Sequence, residues 1–171
     1  MKPAVYAALV LGLAPLQATL THYLGIAGIR PDFCLIAACL IGFRGGAWEG
    51  VGMGMALGLG QDILSAGGWG VNLATKGLAG LLAGLAGRQM TGVTPATLLA
   101  TLATLSAAAG LVSLLTMAPE IGWAERLGAL PRILLPETAI NTVLGGGLYW
   151  LLELRKPGDP RLSRGLVGFL R

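Results

Sequence analysis

The stretch Gly42–Asp62, GFRGGAWEGVGMGMALGLGQD, decides how the rest of the chain is read. Taken every fourth residue it gives Gly42, Gly46, Gly50, Gly54, Gly58 and then Asp62. Steps of four return to one helix face, so the pattern predicts a glycine groove closed at one end by a carboxylate. In water a helical glycine costs about 1 kcal/mol relative to alanine, and a soluble helix has no use for five of them. In lipid, apolar side chains gain nothing by leaving lipid for each other. Small residues that let two backbones approach then drive helix association.

Composition carries the same message. The chain has 171 residues, of which 54% are hydrophobic and 12% charged, with a mean hydropathy of +0.73. These values predict an integral membrane protein of one domain. The 28 glycines follow no collagen period and indicate tightly packed transmembrane helices. The net charge of +4 comes from basic residues between and after the apolar runs, without the aromatic-rich basic patch of a nucleic-acid binder. Cys34 and Cys39 share one apolar run and, five apart, point to different helix faces, which argues against a disulfide between them. The single histidine, His22, has no His or Cys company for a zinc site and is expected at an interface. The apolar run after Lys2 continues to about Leu24, long enough to be a retained first helix rather than a cleaved leader.

Six spans are expected, over residues 1–154, followed by a basic cytoplasmic tail over 155–171. The first runs from Ala4 to Leu24 with Pro15 inside it, and Arg30-Pro31-Asp32 forms a charged turn with Asp32 at the entry of the second helix. The second apolar run, Phe33 to Phe43, is short against the roughly 20 residues that cross a bilayer core. It spans only by extending through Gly45–Trp48, thinning the bilayer or letting Arg44 snorkel. Ala47–Leu64 carries most of the ladder and ends in a turn, Ser65 to Gly70, with Trp69 at the interface. Val71–Arg88 offers a second small face through Gly77, Gly80, Gly84 and Gly87, antiparallel to the third helix. Pro95–Met117 is the fifth span, Ala118–Leu130 an interfacial loop or short surface helix, and Pro131–Leu154 the sixth. Eight Lys and Arg then fall on the side of the N-terminus and three on the other, which places both termini in the cytoplasm.

Ionisable groups inside spans are functional candidates, and Asp62, Lys76 and Glu137 qualify. Helix register sets them, with Asn72 and Asn141, in the outer half of the membrane, where Lys76 can pair with Asp62 and clamp helices three, four and six, or where the cluster can hold a ligand. Enzyme signatures are missing: no Ser-His-Asp set, metal cluster or Walker motif occurs, no cofactor is indicated, and Ser65 and Ser106 have no nearby base. Gly52-Met53-Gly54 lies inside an apolar helix and reads as packing rather than a phosphate loop. The groove of Gly46, Gly50, Gly54 and Gly58 admits either the fourth helix or a partner's single span.

Several motifs, taken in order, carry a resemblance. Arg30-Pro31-Asp32, an apolar run, Arg44-Gly45-Gly46, the ladder to Gly58, Gln61-Asp62-Ile63-Leu64-Ser65 and Gly68-Trp69-Gly70-Val71-Asn72 resemble the rod shape-determining MreD family over about residues 29 to 88. Trp69 stands where that family usually has proline. The resemblance implies a non-enzymatic component of the bacterial cytoplasmic membrane that binds the single-span protein MreC. It would act with the RodA glycosyltransferase, its penicillin-binding transpeptidase and the actin-like MreB in cell-wall elongation. It also implies the fold of the substrate-binding subunits of energy-coupling-factor vitamin transporters, which makes a vitamin-type transport subunit the competing expectation. Such subunits dock through small residues of their first helix, where this chain has only Ala4 and Ala8 at the right spacing. A proton-coupled transporter would need an inverted repeat, and none is visible.

Overall fold

A computed structural model describes residues 3–23, 29–65, 70–89, 94–116 and 122–154. The expected basic tail, the turn around Trp69 and the side chain of His22 lie outside them. The described residues are all-α: α1 (Pro3–Tyr23), α2 (Phe33–Gly45), α3 (Ala47–Leu64), α4 (Val71–Gln89), α5 (Pro95–Thr116), a short α6 (Trp123–Ala129), and α7 (Leu135–Leu154). A π-helical turn, Leu130–Leu134, joins α6 to α7; Pro131 within it and Pro136 at the start of α7 each remove one N–H from the ladder. The boundaries follow the apolar runs to within a residue or two, except that the sixth run is entered through α6 and this widened turn.

Local chemistry explains where the chain turns. The Asp32 side chain accepts from Leu35 N at 2.9 Å and caps α2, which continues to Gly45 but at 13 residues is only about 20 Å long. A single residue, Gly46, separates α2 from α3, and its φ of +94° lies where a side chain is strained. Replacing Gly46 by alanine is expected to cost about 1–3 kcal/mol, read as a lower thermal midpoint of the purified protein, because the hairpin has no second residue to absorb the strain.

The ladder is filled from within. A methyl built on Gly50 would strike the Gly80 carbonyl, on Gly54 the Lys76 carbonyl, and on Gly58 the Asn72 carbonyl. A methyl on Gly84 would likewise meet Gly46 and Ala47. Each step of four along α3 is thus matched by a step of four backwards along α4, the signature of antiparallel helices at backbone contact. Gly42 on α2 meets Gly80 and Gly84, so α4 lies in a trough between α2 and α3.

Two apolar clusters meet on α2. On one side Leu35, Ile36, Cys39, Leu40 and Phe43 pack with Ala79 and Ala83 of α4 and Leu98, Leu102 and Leu105 of α5. On the other, Cys34 and Ile41 pack with Met53 and Leu57 of α3, against which α1 lays Leu9, Val10 and Leu13. Both cysteines are free and buried, one in each cluster, as a spacing of five on a helix requires. α7 closes the bundle against α5 and α2, with Gly145 against Leu102 and Ile36.

The outside is unlike that of an ordinary soluble bundle. Trp48 is 81% exposed, Leu11 77% and Val143 70%, and large apolar side chains face outward on every one of the long helices. Pro95–Thr116 is long and apolar enough to cross a membrane, and Ala4–Thr19 and Phe33–Gly45 are shorter apolar helices.

Candidate functional site

The polar side chains of the bundle converge at one end, which we call the Asp32 end; the opposite end carries Arg44 and Arg88. Asp62, on the last turn of α3, points at the first turn of α4. Its Oδ2 accepts from Gly70 N and Leu73 N, both at 3.0 Å, and its Oδ1 from Asn72 N at 3.1 Å and Asn72 Nδ2 at 2.9 Å. Four donors thus meet one carboxyl at the positive end of a helix, satisfying N–H groups that no intrahelical partner can reach. The side chain is 1% exposed, which only such complete pairing makes tolerable.

Lys76, one turn further along α4, is also buried. The expected direct pairing with Asp62 is not what forms. Lys76 Nζ lies 2.9 Å from Asp32 Oδ2 and donates to Asn72 Oδ1 at 2.7 Å. The physical reason is that the α4 N-terminus already occupies both oxygens of Asp62, while Asp32, at the start of the short α2, presents one oxygen to Leu35 N and the other to Lys76. Asn72 joins the Asp62 carboxylate to the Lys76 ammonium: its Nδ2 donates to Asp62 and its Oδ1 accepts from Lys76, which fixes its amide orientation.

Three further side chains extend the network to the remaining long helices. Gln17 of α1, buried, donates through Nε2 to the Pro31 carbonyl at 2.7 Å and accepts from Phe33 N at 3.0 Å. Asn141 of α7 accepts from Asp32 N at 2.8 Å and donates to Ser106 Oγ of α5 at 2.9 Å. Arg30, the first residue of the motif turn, is exposed beside this network. Glu137 is half-buried one turn before Asn141 and takes no hydrogen bond or ion pair from the described residues. Since α7 runs from Asn141, level with Asp32, to Gly145, level with Ile36, Glu137 sits about 6 Å beyond the start of α2.

Of the residues singled out from sequence, Asp32, Asp62, Asn72, Lys76 and Asn141 come together with Pro31, and Glu137 stays apart. Sequence reading does not find Gln17, for which a glutamine amid the apolar run Ala4–Leu24 is the available signal, and it weighs Ser106 only as a nucleophile without a base, not as the partner of Asn141. Chemically, the arrangement joins helices. The bonds of Gln17, Asp32, Asp62, Asn72, Lys76, Ser106 and Asn141 join α1, α2, α3, α4, α5 and α7, and among the described residues no group of three His, Cys, Asp or Glu side chains gathers as a metal would need. Replacing Asn141 by leucine should strand Asp32 N and Ser106 Oγ and cost about 1–3 kcal/mol, measurable as a lower unfolding midpoint.

No protein-family model, curated protein or solved structure matches the chain.

Proposed function

We propose that the chain is a multi-pass scaffold of the bacterial cytoplasmic membrane, with six spans and both termini cytoplasmic, serving the cell-elongation machinery as MreD-like proteins do. The partners under this reading are a single-span MreC-like protein, a RodA-like glycosyltransferase with its transpeptidase, and an actin-like MreB homologue. Wall chemistry belongs to them.

One observation carries the reading. Three polar residues of the motifs that resemble the MreD family, Asp32, Asp62 and Asn72, take part in the bonds that lock the helices to each other. Motif residues that serve architecture suit a protein whose work is to hold others. Membrane immersion is supported by the outward-facing large apolar side chains on all the long helices and by backbone-contact glycine packing inside. α2, at about 20 Å, is short for a span, and the hairpin with α3 turns beside Arg44 and Arg88, whose long side chains can reach the interface.

The vitamin-transport reading would use the same end of the bundle as a pocket. The polar groups described there bond one another, and a groove lies towards the other end, beside Arg44. The deciding experiment is purification from native membranes with and without the candidate partner. Co-purification with a single-span periplasmic protein and loss of rod shape on depletion are expected. Nanomolar binding of a vitamin by the isolated protein would overturn the scaffold reading.

A further inference from the structure

Glu137 carries a carboxyl that the bundle leaves without a partner. Asp32, Asp62 and Glu49 each accept a hydrogen bond within the protein, whereas Glu137 takes none from the described residues. Its depth makes that costly. Asn141 of α7 is level with Ser106 of α5, and Leu134 with Gly110, so the two helices run antiparallel. From Ser106, α5 continues to Thr116, about 15 Å further, and Leu111, Val112 and Leu115 on that stretch are exposed apolar side chains. Glu137 stands only about 6 Å beyond Asn141 in the same direction. About 9 Å of apolar helix therefore separates its level from the end of α5, the helix long and apolar enough to cross a membrane. A carboxylate at such a depth calls for a countercharge.

Half-buried, Glu137 stands at the edge between two faces of α7. Inward lie Asn141 and Gly145, against α2 and α5. Outward, steps of three and four from Glu137 give Ile140, Leu144, Gly147 and Leu151, all exposed. That is the spacing with which one helix seats another, and it runs about 21 Å. In the stripe a side chain on Gly147 would meet nothing within 4 Å, so an approaching helix can come to backbone contact there. Lipid tails would cover the apolar stripe but bring no cation to Glu137, whose level lies well inside the end of α5. A helix with a basic side chain at that level does both.

We propose that this face of α7 seats the transmembrane helix of a single-span partner, with a Lys or Arg of that helix paired to Glu137. The inference rests on the scaffold reading and adds to it which face holds the partner and by which charge.

The test co-expresses the full chain with the single-span candidate partner and reads its recovery with the chain from membranes. A photo-reactive benzophenone side chain placed at Gly147, or at Leu144 should the first variant be poorly made, is expected to crosslink to the partner's span. One placed at Gly52, on the outward face of α3, is not. Glu137→Lys is expected to lower recovery of the partner about tenfold, and exchange of the partner's basic residue for Glu to restore it. Glu137→Gln is expected to keep the parent's unfolding midpoint, since it breaks no bond among the described residues; a lower midpoint would mark a structural role and overturn the proposal. Crosslinking to a second copy of the chain, a partner span without Lys or Arg, or unchanged recovery with Glu137→Lys would overturn it too. A partner still recovered with a chain that never crosslinks through α7 overturns this face alone. No partner recovered with the parent chain overturns the scaffold reading and the face with it.

Discussion

Gly54→Leu is expected to abolish folding, whereas Gly52→Leu, two residues away, is expected to leave the protein folded. A side chain on Gly54 enters the Lys76 carbonyl and the Gly77 amide, which are backbone and cannot swing aside, while one on Gly52 meets nothing within 4 Å. Overpacking a core usually costs about 1–3 kcal/mol because side chains give way. Here α3 and α4 would have to separate, and the contacts at Gly50/Gly80 and Gly58/Asn72 on either side would open with them. The same movement would pull Asp62 from the four donors it holds at the α4 N-terminus. Monodisperse yield in detergent, followed by thermal unfolding of whatever is recovered, reads the difference. A folded, well-behaved Gly54→Leu protein that had lost only a partner would show that the groove faces outward.

The second large effect concerns Lys76. Asp32→Asn alone leaves a buried ammonium without a countercharge, with one amide oxygen to share between Lys76 and Leu35 N, and loss of one partner of a buried ion pair costs about 3–5 kcal/mol. Lys76→Met alone is expected to cost less, because Asp32 is the more exposed partner and keeps its bond to Leu35 N. Combining the two should recover much of the loss, since removing both charges removes the unpaired one. Lys76→Met combined with Asp62→Asn should recover nothing, because Asp62 spends its oxygens on the helix terminus. Unfolding free energies of the three single variants, Asp62→Asn included, and the two double variants give both couplings. A cycle that coupled Lys76 to Asp62 more strongly than to Asp32 would contradict the network.

Between these two results lies the difference between what one chain segment knows and what needs the whole bundle. The glycine ladder, the helix limits, the cap at Asp32 and the antiparallel match of α3 with α4 were all legible from residues 29 to 88. Each depends on a repeat of about four residues or on a short turn, which fixes the neighbour with little freedom. The ladder could not, by itself, say whose backbone would fill it; the matching face of α4 did so, because its small residues recur in the same step and the short turn forces α4 alongside.

Side-chain pairings across the bundle were a different matter. Asn141 reaches Asp32 across 109 residues of chain and Ser106 across 35, and no spacing rule connects them. Which atoms meet there depends on how far each helix is rotated and how deep it sits, and one turn of depth is enough to bring Asn141 into the network and leave Glu137 outside it. Lys76 has a long, flexible stem that reaches acceptors on either neighbouring helix, so its partner was decided by which carboxyl still had an oxygen to offer. The sequence by itself determined the helices and the small-residue faces of α3 and α4, because those rest on local periodicity. The tertiary structure alone decided the polar clamp and the seam's occupant, because those rest on where separate helices lie relative to α2 and α3.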